Sequence, residues 1–147
     1  MEDAFTVALK LLSIRELSET QLRSRLTRRQ LDSDDIDTAI ARLRADGTLN
    51  DRRVALALAR MESAIKHRGR ARVIQKVRQA GIDGDIAAAA VREVFEDVDE
   101  NALLDRALER RLRGKSPRDL DERGRARVVR ALAAQGFSLE QILKKLR

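Results

Sequence analysis

The feature that most constrains the fold of this chain is an internal repeat. The segment Gly69-Arg70-Ala71-Arg72-Val73 recurs identically 55 positions later, as residues 124–128. Beyond the identical segment, apolar residues coincide at the same offset, and Gly81 coincides with Gly136. A third copy of the apolar positions lies 51 residues before the middle one. Self-similarity at this period is typical of proteins in which each repeat is one supersecondary unit.

Five apolar positions, spaced four, five, five and four residues apart, define the template that the three copies share. They are Leu22, Leu26, Leu31, Ile36 and Ile40 in the first copy, Val73, Val77, Ile82, Ala87 and Val91 in the second, and Val128, Leu132, Phe137, Ile142 and Leu146 in the third. This spacing fits two helices separated by a tight turn. Because a short helix cannot bury its apolar stripe alone, each unit is expected to fold on itself and to stack on its neighbours.

Cap signals predict where the helices begin and end. Glycine follows helical stretches at four places, where it can adopt the left-handed conformation that closes a helix: Gly47, Gly81, Gly114 and Gly136. Capping-box patterns begin at Ser18 and Ser138. The pair Ser116-Pro117 fits either an N-cap followed by proline or a loop. The predicted fold is all-α, an elongated and curved array of three tandem three-helix repeats at residues 1–48, 49–97 and 98–147.

The helices of each unit are predicted in the order lead, second and third. Lead helices are expected at about residues 5–15, 51–68 and 99–113. Second helices are expected at 18–29, 70–80 and 121–135, and third helices at 33–45, 83–96 and 138–145. No strand-like alternation is long enough to compete with this assignment.

Charge in this chain points to a polyanionic partner. Hydrophobic residues make up 43% and charged residues 37%, which is too apolar for disorder but highly charged for one compact sphere. The net charge of +7 divides into −1 over residues 1–48, +3 over 49–97 and +5 over 98–147. This gradient indicates nucleic acid or an acidic protein surface as the partner, although an incidental basic excess is the alternative.

Composition excludes several kinds of chemistry. The chain has no cysteine and a single histidine, His67, which is interpreted as a residue at a helix end. The acidic run at residues 32–37 lacks the glycine and glutamate of a calcium loop and fits a helix N-terminus. We therefore expect no metal, no cofactor and no enzymatic activity. No apolar run approaches the ~20 residues of a membrane span, and the acidic start favours a cytoplasmic protein.

Four motifs, in the right order, resemble the RecX family of recombinase regulators over nearly the whole chain. The opening at residues 8–18 and the join at residues 46–55 resemble that family, the join following its Gly-x-Leu-(Asn/Asp)-Asp-x-x-Phe-Ala pattern. Residues 68–82 and 135–142 match its middle and last units. Two positions depart from the pattern. Val54 replaces the usual aromatic residue, and Gln30 stands where Gly81 and Gly136 stand in the other units.

The resemblance implies a non-enzymatic protein that binds the RecA filament on DNA and restrains its ATPase and strand-exchange activity. Such a protein modulates recombinational repair and the SOS response, and a monomer is expected. The candidate filament-binding or DNA-binding residues are Arg72, Lys76, Arg127 and Arg130, with a solvated helix face as the alternative. A general helical DNA-binding protein, which uses the basic C-terminal two thirds, is the second function considered. A scaffold for an unrelated helical partner is the third. With only three phenylalanines in the chain, any DNA contact should be weak and electrostatic.

Overall fold

The computed structural model describes residues 2–147, and within them the chain forms helices and no strand. The nine α-helices are α1 (Ala4–Ile14), α2 (Glu19–Arg28), α3 (Ser33–Ala45), α4 (Asp51–Ala64), α5 (Arg70–Gln79), α6 (Gly84–Glu96), α7 (Glu100–Leu112), α8 (Glu122–Ala134) and α9 (Leu139–Lys145). One short 3₁₀ helix, Pro117–Asp119, lies between α7 and α8. The predicted all-α fold is confirmed.

The helices group into three units, α1–α3, α4–α6 and α7–α9. In every helix pair with extensive contacts, both helices belong to the same unit. Fourteen of the fifteen template residues are buried, and the remaining one, Leu31, is half-buried against the first unit. The repeated apolar spacing therefore identified the interior of every unit, and the predicted repeat array is confirmed.

Two hydrophobic clusters, rather than three, form the interior. Apolar side chains from α1–α3 make one cluster, which includes Leu49 in the loop before α4, and those of α4–α9 make the other. The second and third units thus share a core, whereas the first has its own. The solvent-accessible surface of 9451 Å² exceeds by about a quarter the ~7,600 Å² usual for a folded monomer of this mass. The excess fits an elongated body.

Helix ends follow most of the predicted cap signals, but at Ser138 only half of the predicted capping box forms, the N–H of Gln141 donating to the Ser138 hydroxyl. All four helix-closing glycines have positive φ, between 80° and 102°. The capping box at Ser18 is complete, because its hydroxyl accepts the N–H of Gln21 while the Gln21 side chain accepts the N–H of Ser18. Ser116 is an N-cap, with Pro117 as the first residue of the 3₁₀ helix, so the first of the two alternatives for this pair is correct.

One predicted helix is shorter than expected. Helix α4 ends at Ala64 rather than near Arg68, because the chain leaves the α-helical hydrogen-bond pattern at this point. The carbonyl of Glu62 accepts the N–H of Arg68 at 3.0 Å, and His67 between them adopts a left-handed φ of 52°. His67 consequently lies in the loop that follows the helix.

Neighbouring units meet at a repeat joint, which we define as the contact between the turn before the third helix of one unit and the start of the second helix of the preceding unit. In the first joint, Ser18 Oγ donates to the carbonyl of Ala80 at 2.5 Å and Thr20 Oγ1 donates to that of Gly81 at 3.0 Å. Ser18 is fully buried by this contact. The joint is therefore polar, with a buried contact at Ser18 and an exposed one at Thr20.

The second joint uses the equivalent positions with different chemistry. The N–H of Gly69 donates to the carbonyl of Gln135 at 2.8 Å. A Cβ added to Gly69 would lie 2.5 Å from the Gly136 oxygen, and one added to Gly136 would lie 2.4 Å from the Arg72 nitrogen. Two glycines are thus required because the two backbones approach so closely.

An acidic residue at the start of each following lead helix adds a further contact to both joints. The N–H of Glu19 donates to Asp51 Oδ1 at 2.8 Å, and Arg70 Nε donates to Glu100 Oε1 at 3.0 Å. Glu19 and Arg70 occupy the same template position of their units, and Asp51 and Glu100 are the first residues of their lead helices. The place of the joint is therefore repeated, whereas its hydrogen bonds differ.

The departure at Gln30 has a structural reason. Gln30 adopts the same left-handed conformation as Gly81 and Gly136, with φ of 62°, but it is exposed. Within residues 2–147 the turn at Gln30 makes no joint with another unit. A side chain is therefore tolerated where the joints need glycine.

Candidate functional site

The four basic residues singled out from the sequence lie on equivalent helices of the second and third units. Arg72 and Lys76 are one turn apart on α5 and are half-buried, whereas Arg127 and Arg130 on α8 are exposed. Within residues 2–147 none of the four forms an ion pair. No ion pair among these residues therefore neutralises their positive charges.

Arg72 has a structural role as well. Its Nη1 donates to Gln75 Oε1 at 2.6 Å, and its backbone lies against Gly136 in the second joint. Arg127 occupies the same template position in the third unit. Within residues 2–147 Arg127 has no such neighbour, and its side chain is exposed.

Lys76 lines a groove at the boundary between the first and second units. This groove has a volume of about 360 Å³, and its apolar floor comes from α4. Val54 contributes to it, at the position where the family pattern has a larger aromatic side chain. The half-buried stem of Lys76 covers one rim, and Arg15 lines the groove from the end of the first lead helix.

Residues that the sequence analysis did not connect converge at a second place, which we call the basic cavity. It has a volume of about 470 Å³ and is lined by His67, Ala107, Arg110, Arg111, Arg113 and Gln135. Three of these are arginines, and no carboxylate lines the cavity. The only sequence signal was the arginine run at residues 110–113, since the other members are distant along the chain.

The acidic run that follows α2 caps a helix, as predicted. The Asp32 side chain accepts the N–H of Asp34 at 3.2 Å at the start of α3. Among the described residues there is no group of three or more histidine or acidic side chains that could hold a metal ion. No helix in this part of the chain is long and apolar enough to span a membrane.

Comparison with known proteins matches this architecture to one family. Residues 4–43 match the domain described as "RecX, first three-helix domain", and residues 50–91 match "RecX, second three-helix domain". A regulatory protein RecX of Syntrophotalea carbinolica is 35% identical over 92% of this chain and 89% of its own length. One from Pseudomonas entomophila is 33% identical over 92% and 84%, respectively.

Solved structures agree on the fold. The crystal structure of RecX from Lactobacillus salivarius aligns with a TM-score of 0.77 at 18% identity, covering 97% of this chain and 94% of the other. A second crystal structure of a regulatory protein RecX gives a TM-score of 0.82 at 20% identity, covering 97% and 69%. The chain of three-helix units described above therefore belongs to the RecX family of regulatory proteins.

Proposed function

We propose that this protein binds the RecA nucleoprotein filament and inhibits its ATPase and strand-exchange activity. In this way it would modulate recombinational repair and the SOS response. The observation that carries the proposal is membership of a regulatory family over nearly the whole chain, with the three units intact. The proposed role is non-catalytic, needs no cofactor and takes place in the cytoplasm.

The shape of the protein supports a filamentous partner. Three units in a row, with an accessible surface about a quarter above that of a compact monomer, offer a long face. A monomer with units at residues 1–48, 49–97 and 98–147 would place equivalent side chains at regular steps. A helical polymer presents its own subunits at regular steps, so the two can match at more than one point.

We propose that Arg72, Lys76, Arg127 and Arg130 face the filament. Two observations support this assignment: none of the four has an ion-pair partner within residues 2–147, and Arg72 and Arg127 share a template position. Guanidinium groups bind phosphate and carboxylate through paired hydrogen bonds. The contact with DNA would be a weak electrostatic one, in addition to contacts with the recombinase.

The direct test is DNA-dependent RecA ATPase measured at increasing concentrations of this protein. Loss of activity at fewer than one regulator per RecA subunit is expected, because one elongated molecule would restrain several subunits. Strand exchange should fall over the same range. Undiminished ATPase at stoichiometric regulator would refute the proposal and favour a scaffold for another partner.

A charge reversal tests the proposed face. The variant Arg127→Glu/Arg130→Glu should inhibit the ATPase more weakly while keeping the far-ultraviolet circular dichroism of the parent. The matched control is Arg28→Glu/Arg29→Glu, which makes the same change of charge at two exposed positions at the end of α2 that are equivalent to none of the four proposed residues. Equal inhibition by the two variants would remove Arg127 and Arg130 from the binding face.

A general DNA-binding function is the second candidate, favoured by the net charge of +5 over residues 98–147. The two functions predict different affinities for RecA-coated DNA and for naked duplex DNA. A recombinase regulator should bind RecA-coated DNA more tightly than naked duplex at physiological salt, where electrostatic binding to phosphates alone is weak. Equal affinity for both would favour the second candidate.

A further inference from the structure

The basic cavity differs from the rest of the charged surface in how its side chains are placed. Ala107, Arg110 and Arg111 lie three and four residues apart and so share one face of α7. Arg113 joins them from the turn that follows. Like the proposed filament face, the three arginines have no ion-pair partner within residues 2–147. Unlike that face, they surround a concave volume.

Backbone conformation sets the position of two of the lining side chains. Arg113 and His67 adopt left-handed φ values of 50° and 52°, in a region that side-chain-bearing residues seldom occupy. In the turn after α7 the chain has a glycine available at the next position, Gly114, yet an arginine occupies the first left-handed position. The two loops thus place a guanidinium and an imidazole at the cavity on backbone positions that glycine would occupy more easily.

Two residues that line the cavity each carry a buried polar atom without a hydrogen-bond partner. His67 Nδ1 and Gln135 Oε1 are both inaccessible to solvent, and neither has a hydrogen bond. Buried polar atoms in folded proteins nearly always have one. The imidazole can donate from Nδ1, and the amide of Gln135 can be turned by 180° to present its Nε2 donor instead. A rotation of either side chain would bring unused hydrogen-bonding capacity to the cavity, beside three cations.

We infer that the basic cavity is a binding site for a phosphate group. Three guanidinium groups, an imidazole and an amide supply more donors than the two oxygens of a carboxylate could accept, whereas a tetrahedral phosphate presents oxygens in several directions. The group could be a free or nucleotide phosphate, or a phosphodiester of a nucleic acid backbone. This inference is independent of RecA, since it concerns a site between the second and third units of the isolated chain.

A purely structural explanation competes with this inference. The cavity lies where the loops after α4, α7 and α8 meet, and helix C-termini carry partial negative charge that attracts arginine. That attraction explains cations near the helix ends. It does not explain the unpartnered His67 and Gln135 atoms, because neither completes a helix cap with its side chain.

The test is a titration of the isotope-labelled full chain with inorganic phosphate at constant ionic strength, followed by amide chemical shifts. Saturable changes confined to residues near 67, 110–114 and 135 are expected. The variant Arg110→Gln/Arg113→Gly should weaken binding by roughly tenfold or more, because two charge-assisted contacts are lost. Glycine at position 113 suits the left-handed backbone, so the variant should fold.

The matched control is Arg28→Gln/Arg29→Gln, which removes the same charge from another helix C-terminus that is exposed and distant from the cavity. It should bind phosphate as the parent does. The same proteins are then compared for binding to single-stranded DNA by fluorescence anisotropy. If only the cavity variant loses affinity for DNA, the phosphodiester is the source of the phosphate group. If both variants lose DNA affinity equally but only the cavity variant loses affinity for inorganic phosphate, the ligand is a free or nucleotide phosphate.

The inference is overturned if phosphate shifts are non-saturable and spread over the surface while the two double variants lose DNA affinity equally. In that case the arginines only balance helix ends. Because neither arm contains recombinase, this failure is separate from any failure of the proposed function. Conversely, a variant that loses phosphate but still inhibits the RecA ATPase would leave the regulatory role intact.

Discussion

Alanine substitutions at two glycines of the second repeat joint, and at a third glycine outside it, can separate the effect of close backbone approach from that of backbone conformation. Gly69 has an ordinary φ of −77°, but a Cβ there would lie 2.5 Å from the Gly136 oxygen. Gly114 has a φ of 85° with nothing within 4 Å of a Cβ. Gly136 combines a φ of 102° with a Cβ 2.4 Å from the Arg72 nitrogen. Alanine at these three positions therefore tests each effect alone and then both together.

The expected losses of unfolding free energy follow from these differences. A left-handed alanine costs roughly 1–2 kcal/mol, reduced by about 0.4–1 kcal/mol because the unfolded chain loses freedom, so Gly114→Ala should cost about 1 kcal/mol. Overpacking costs about 1–3 kcal/mol, and the backbone atoms at the joint cannot rotate away, so Gly69→Ala should cost about 2 kcal/mol. Gly136→Ala should cost about 3–4 kcal/mol, since it combines both effects.

Thermal unfolding followed by helical circular dichroism measures these losses, with a shift of about 2–4 °C per kcal/mol for a chain of this size. Hydrogen exchange at the Gly69 amide, which donates to the Gln135 carbonyl, reports the joint directly. Exchange should be faster in Gly136→Ala and unchanged in Gly114→Ala. If the three variants were equally stable, or if Gly114→Ala were the most destabilised, the argument from close approach would be wrong.

Three further outcomes are expected. Ser18→Ala should lower the free energy of unfolding by about 1–3 kcal/mol in urea denaturation, because it removes an N-cap and the buried donor to the second unit. Glu62→Gln should cost about 1–3 kcal/mol by the same assay, since it leaves the partly buried Arg68 without its charged partner, whereas Glu93→Gln at an exposed pair should cost less than about 1 kcal/mol. The hydrogen bonds that the Asp3 carboxylate accepts from Thr6 lower the pKa of Asp3. Its capping contribution, present above pH 3.8, should therefore fade as pH falls through the lowered pKa, and Asp3→Asn should flatten that part of the pH–stability curve.

The sequence predicted the interior of this protein well, because burial and helical periodicity are local properties. The template residues are evenly spaced and apolar in all three copies, and all but Leu31 are buried. The partition into two cores could not be read in the same way. Every unit has the same stripe, and only the packing of α4–α9 decides that the second and third units share their interior.

The repeat joints could not be predicted from the sequence because a glycine that closes a helix cannot be distinguished there from one that allows two backbones to approach closely. Gly81 and Gly136 were correctly predicted to close helices, but their second use, close contact with the preceding unit, depends on a neighbour some 60 residues away. The basic cavity was missed for a related reason. His67, Arg113 and Gln135 come from three separate loops, and His67 was read only as a helix-end residue.

The candidate face remains a prediction, and the sequence could not have ranked it against other basic groups. Arg72 and Arg127 were recognised as equivalents, but their different surroundings arise from the joint. Arg72 lies against Gly136 of the third unit, whereas Arg127 is exposed. A position can therefore be repeated in sequence and differ in availability.

The repeat joint also gives the array of units a direction. Each joint fits the turn of one unit onto the helix start of the unit before it, so that successive units are joined in one orientation only. Gly69 and Gly136 let the backbones of the second joint approach closely, and Ser18 and Thr20 bind the backbone carbonyls of the first. The step between equivalent side chains along the chain is therefore set by two small contacts between neighbouring units.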